Sequence, residues 1–368
     1  MLFRSSGIDR LNSYGQSPWY DNLTRQMLRD GGLASLIRDD GIRGVTSNPT
    51  IFEKAMAAGE GYDEQLLEQH RAGASTEDAF WALVVDDIAA AAVLLRPVHD
   101  ATQGEDGYVS VEVSPRLAHD TDGTVAQAID LHRRVNQPNV MIKIPATPAG
   151  LPAITEVIAA GINVNVTLIF DLDRYDAVLD AHEAGLARLA AAGGDLASIA
   201  SVGSFFVSRV DTEVDKRLPE DHPLRGLPAV ANARVAYERY LDHCATEYWR
   251  ALEAKGARRQ RPLWASTSTK NPAYSSTLYV DELIGPETVN TLAPASIDAL
   301  RRGEGEQRAG SIAEDFDGAR RVIADLEAAG VPYADVTATL EREGVASFIA
   351  SYDEVLGTLA RRTAALVG

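Results

Sequence analysis

A short run rich in β-branched or aromatic residues, followed by a longer helical stretch, recurs eight times along this chain. That rhythm marks βα units, in which each helical crossover returns the chain so that the next strand lies parallel to the last. The candidate strands are Ser17 to Asp21, Arg43 to Ser47, Tyr108 to Val113, Asn139 to Ile144, Ile162 to Ile169, Ala200 to Phe205, Arg261 to Ser266 and Glu287 to Leu292. Helical patterns such as Thr76 to Leu95, Ala126 to Val135 and Ala177 to Ala192 separate them. Eight units predict an α/β fold, a closed (β/α)8 TIM barrel in preference to an open sheet. The tail from Ile312 to Val367 reads as two additional C-terminal helices, covering either the barrel or a neighbouring subunit. No long repeat, Pro- or Ser-rich linker or low-complexity stretch marks a boundary, so residues 1–368 are expected to form one domain.

Three of the strands carry an alternation that a barrel strand covered by helices does not need. In Asn163-Val164-Asn165-Val166-Thr167-Leu168 the polar side chains share one face and the apolar ones the other. Ser110, Glu112 and Ser114 repeat this against Val109, Val111 and Val113, and Lys143 shares a face with Met141 while Val140, Ile142 and Ile144 point the opposite way. Buried parallel strands are normally apolar on both faces, so polar inward faces on several strands predict a polar cavity at the barrel mouth.

Composition narrows the partners. A net charge of -18 argues against nucleic acid and anionic membranes, which require a basic surface. A small phosphate ester needs only one or two placed cations and remains open. The longest apolar stretch, around Ile88 to Leu95, is far too short to span a bilayer. The opening MLFRSSGIDRLNSYG has no apolar core or cleavage site of a secretory signal, and the single cysteine, Cys244, has no partner for a disulfide. A cytoplasmic chain is therefore expected. The seven histidines show no ligand spacing, so no metal is expected. Neither GxGxxG, P-loop nor nucleophile elbow is present, which leaves nucleotide cofactors and hydrolase triads without support.

Chemistry is concentrated at the strand ends. Lys143 sits in the apolar run Met141-Ile142-Lys143-Ile144, where desolvation disfavours the cation and favours a nucleophilic amine of the kind imine formation requires. The bland alternative is a lysine whose stem packs inside while its ammonium reaches a carboxylate or solvent. Glu112 and Asp21, near the ends of their strands, are candidate acids or bases, although Asp21 is equally placed for a helix N-cap. Arg209 falls just past a strand near a helix start, and Lys270 follows the next strand. Their convergence would make a phosphate site, and apart they would be ordinary surface charges. In Thr46-Ser47-Asn48-Pro49-Thr50, proline suits helix entry without any function.

Together GVTSNPTIF, VSVEVSPRLAHDT, NVMIKIPAT, GINVNVTLIF, SVGSFFVSRVD and LWASTSTKNPAY resemble the transaldolase family, most closely its longer bacterial members, over roughly Ser17 to Pro294. The resemblance implies a barrel of the class I aldolase type and, residue by residue, several roles. Lys143 would be the Schiff-base lysine, Glu112 the proton shuttle through a water, Asp21 the base for bond cleavage, and Thr167 the group that positions that water. Asn48, Asn165 and Ser204 would bind the dihydroxyacetone end. Arg209, helped by Ser268, would hold the substrate phosphate, and Phe206 would close the pocket. Shorter relatives carry an arginine where this chain has Lys270, and a glycine and a proline where it has Ser208 and Phe205, which changes the expected phosphate geometry.

The implied reaction moves a three-carbon unit between sugar phosphates, sedoheptulose 7-phosphate and glyceraldehyde 3-phosphate giving erythrose 4-phosphate and fructose 6-phosphate, with no cofactor. The rivals are a fructose 6-phosphate aldolase that releases free dihydroxyacetone and a non-catalytic barrel that binds sugar phosphates. Whether the chain forms a homo-oligomer stays open at this level.

Overall fold

All eight strands form, as β1 (Gln16–Tyr20), β2 (Gly44–Thr46), β3 (Tyr108–Glu112), β4 (Val140–Pro145), β5 (Val164–Ile169), β6 (Ser201–Phe206), β7 (Gln260–Ala265) and β8 (Thr288–Leu292). Each pairs in parallel with its neighbours in sequence, and β8 closes on β1. The computed structural model describes residues 7–59 and 61–368. The first six residues, part of the stretch read above for a signal sequence, lie outside the described residues.

The strand bounds differ from the expected ones by one or two residues, for local reasons. Glu287 and Ser266 adopt φ of 57°, in the left-handed region, so β8 starts only at Thr288 and β7 stops at Ala265. Ile162 and Asn163 precede β5, where the Asn163 amide donates to the carbonyls of Pro138 and Val140 and accepts from the Ala200 N–H. Asn163 thus shares the polar period of β5 but serves the backbone at the strand's entry. Asp21 lies just beyond β1, its N–H still donating to the Leu292 carbonyl at 3.0 Å.

The expected helices run Thr76–Ala101, Thr121–Val135 and Leu172–Ala191, and the tail forms Phe316–Ala328 and Tyr333–Val367. Helix-facing strand residues, including Val109, Val111, Val140, Ile142, Val164 and Val166, are wholly buried. Fully burying each such side chain contributes about 1.5–3 kcal/mol, which is why these alternate positions stay apolar.

The long helix Tyr333–Val367 lies over this same barrel. Ser351 and Thr50 share a hydroxyl hydrogen bond of 2.9 Å, Tyr352 donates to Glu77 at 2.6 Å, and Arg362 pairs with Asp63. The Tyr352 ring meets Phe80 edge-on at 5.3 Å between centroids. No helix of the described residues is long and apolar enough to cross a membrane.

Candidate active site

Polar groups of non-adjacent strands meet inside the barrel. Asn165 on β5 donates to the Ser110 hydroxyl on β3 at 2.9 Å, with β4 between them in the sheet, so the contact can only pass through the interior. The Ser204 hydroxyl on β6 donates to the Asn165 side-chain amide oxygen at 2.7 Å, and the Ser47 hydroxyl to the Ser110 backbone carbonyl at 2.7 Å. This chain of bonds fixes the orientation of the Asn165 amide, whose two ends face different partners.

Lys143 occupies the centre of that interior. Register places it beside Glu112 on β3 and Asn165 on β5. Its ammonium is buried and lies 3.6 Å from Glu112, 3.3 Å from the Ser47 carbonyl and 3.5 Å from the Thr46 hydroxyl. A tight charge-assisted pair is about 2.7–2.9 Å long, so the ammonium is shared loosely among three acceptors. The bland reading of a lysine reaching a carboxylate is thus met in part, but the carboxylate is itself inside. Burial pushes the Glu112 carboxyl up to about 7, against the opposing pull of Lys143 and Arg209. A group with that pKa is half protonated near neutrality and suits proton transfer in either direction. Thr167 on β5 has a buried hydroxyl with no protein partner, and the Glu112 oxygen that faces Lys143 has only that loose ion pair.

Above this interior the barrel opens into a cavity of about 360 Å³ at the C-terminal strand ends, lined by Asp21, Asn48, Lys54, Arg209, Ser268 and Lys270 among others. Asn48 directly follows Ser47, the residue whose backbone carbonyl touches Lys143, and its side-chain amide oxygen caps the helix Pro49–Ala58 by accepting from the Ile51 N–H at 2.9 Å. Asp21 is not a helix cap: Thr24 caps the following helix. Burial raises the pKa of Asp21, opposed by Lys143, Lys270, Arg209 and Lys54.

Arg209 is the second residue of the helix Ser208–Arg217. Its guanidinium carbon sits 5.1 Å from the centre of the Phe206 ring and 5.9 Å from that of Phe348, with no ion pair to any described carboxylate. Two aromatic faces hold the cation while its N–H edges stay available. Lys270 donates to Ser268 at 3.0 Å on the loop after β7, and both line the same cavity as Arg209. The Phe206 ring that meets Arg209 also packs against Phe170, their ring centres 5.2 Å apart.

Comparison with known proteins places the chain. A family profile described as Transaldolase/Fructose-6-phosphate aldolase matches residues 18–359. The chain belongs to this family. It is 50% identical to Transaldolase 1 of Streptomyces avermitilis over 96% of this chain and 94% of that protein. It is 51% identical to the transaldolase of Thermobifida fusca over 98% and 99%, and 51% identical to that of Saccharopolyspora erythraea over 96% and 97%.

For a member of this family, the residues that sequence reasoning missed are those brought in from outside the strands. Phe348, on the C-terminal helix, lines the cavity, and so does Lys54. Gly344, one turn before Phe348, leaves space that a β-carbon would fill: it would lie 3.0 Å from Leu168 and 3.6 Å from Arg209. Nothing in a short motif signals such contacts. Ser266 was legible as a strand residue, yet its left-handed backbone places it in the cavity wall, where its hydroxyl meets that of Ser208 at 3.0 Å. Among the described residues the trio with metal-ligand spacing is Asp180, Glu183 and His243, away from this site. There His243 already pairs with Glu183 at 2.9 Å, which raises the basicity of its imidazole.

Proposed function

We propose that the chain is a transaldolase of the non-oxidative pentose phosphate pathway, transferring a dihydroxyacetone unit between sugar phosphates through a Schiff base on Lys143. The observation that carries this reading is the buried Lys143 ammonium, 3.6 Å from a Glu112 carboxyl whose pKa is raised to about 7. In this reading the Lys143 amine attacks the ketose carbonyl. Glu112, through a water held with Thr167, donates the proton that lets the carbinolamine lose its hydroxyl as water. Asp21 takes the proton from the hydroxyl next to the breaking carbon–carbon bond, and the protonated imine receives the electron pair. Asn48, Asn165 and Ser204 hold the dihydroxyacetone hydroxyls, while Arg209, Ser268 and Lys270 hold the phosphate. An aldose phosphate then takes up the retained unit, and water releases the lysine.

Fructose 6-phosphate is incubated with and without erythrose 4-phosphate, and glyceraldehyde 3-phosphate is followed by NADH-coupled reduction alongside an assay for free dihydroxyacetone. Acceptor-dependent turnover without free dihydroxyacetone is expected. Acceptor-independent release would make it an aldolase, and absence of turnover in both would favour a binding protein.

A further inference from the structure

We infer that Lys54 is a third cation of the substrate-phosphate site, reaching it from the helix Pro49–Ala58. The inference rests on the transaldolase reading above and extends it to a residue that no strand motif supplies. Thr50 and Lys54 are four residues apart, so they share one face of that helix, and both line the cavity with Arg209 and Lys270. The face is fixed from two sides. Asn48 caps the helix, and the Thr50 hydroxyl is tied to Ser351 on the C-terminal helix at 2.9 Å.

Charge gives the reason for a third cation. The charged residues lining the cavity are Asp21, Lys54, Arg209 and Lys270, so three cations face one carboxylate and the wall carries a surplus of two positive charges. A phosphate monoester carries about 1.5 to 2 negative charges at pH 7, and without Lys54 the wall would balance only about half of them. Lys54 makes no ion pair with any described carboxylate, and it acts electrostatically on both Asp21 and Lys270. Its exposed side chain is free to swing, which suits a phosphate carried on ketoses of different lengths. Lys270 alone, a point charge, cannot reproduce the bidentate grip of an arginine, and a second flexible ammonium compensates for that.

The test is steady-state kinetics with fructose 6-phosphate and erythrose 4-phosphate, with inorganic phosphate as a competing probe, on wild type, Lys54→Gln, Lys54→Arg and Lys255→Gln. Lys255→Gln removes the same charge from an exposed site ahead of β7. Lys54→Gln should raise both the KM for fructose 6-phosphate and the Ki for inorganic phosphate about tenfold, the change expected of one charged contact. Lys54→Arg should restore most of it, and Lys255→Gln should do neither. Borohydride trapping of unphosphorylated dihydroxyacetone should proceed alike in wild type and Lys54→Gln. Both constants staying within about twofold of wild type in Lys54→Gln overturns the assignment. Failure of wild type itself to trap dihydroxyacetone overturns the Schiff-base reading instead, so the two failures are distinguishable.

Discussion

Replacing Glu112 by glutamine probes the buried pair without changing its shape. Folding carries this carboxyl from an ordinary value of 4.5 to about 7, chiefly by desolvation. Below pH 4.5 it is protonated whether the chain is folded or not. Between pH 4.5 and 7 the unfolded chain releases the proton and the folded one keeps it, so the folded state loses about 3 kcal/mol across that window. Above pH 7 the loss is complete and constant. Glutamine does not titrate, so Glu112→Gln escapes the loss. Urea unfolding followed by circular dichroism, at intervals from pH 4.5 to 8, gives the stability of wild type minus that of the variant. This difference should fall by about 3 kcal/mol as pH rises to 7 and then level off. A difference that rises with pH would mean that Lys143 holds the carboxylate as an anion, and would refute the reasoning. Turnover by the variant should drop by about 10²- to 10⁴-fold, the usual contribution of a proton shuttle.

Other outcomes follow from the same structure. Lys143→Met should abolish borohydride-trapped adducts with dihydroxyacetone, detected by mass spectrometry. It should leave a folded protein, because Glu112 can neutralise itself by keeping its proton. Phe348→Leu keeps the position apolar but removes one of the rings facing Arg209, so the KM for fructose 6-phosphate should rise severalfold, in line with about 0.5–2 kcal/mol for a cation–π contact. Unchanged KM would show that the Phe206 face suffices. Far from the site, Arg25 pairs with Asp87 at 2.6 Å with both side chains buried, and Tyr62 also donates to Asp87. Arg25→Met should cost about 3–5 kcal/mol in urea unfolding, by leaving Asp87 without its counter-charge.

The barrel was legible because its period is local. Val109-Val111-Val113 against Ser110-Glu112-Ser114 announces both a strand and its two faces within six residues. Lys143 was legible for the same reason, as a charge inside an apolar run. Strand ends were less so, since Glu287 and Ser266 take left-handed backbone that neither residue type signals. The part of the site's wall that helices bring in was not legible. Lys54 and Phe348 reach the cavity through helix packing across distant segments, and the paired hydroxyls of Thr50 and Ser351 that align them leave no trace in either stretch alone.

The two rings that hold Arg209 bear on how ligands come and go. An arginine parked against a carboxylate must break that pair whenever an anion arrives and remake it whenever one departs. Here Phe206 and Phe348 position the guanidinium by its faces and leave its edges unengaged, so occupancy changes without any exchange of internal partners. Such a site is suited to an enzyme that must receive one sugar phosphate, dismiss its remainder and admit another while a fragment stays bound.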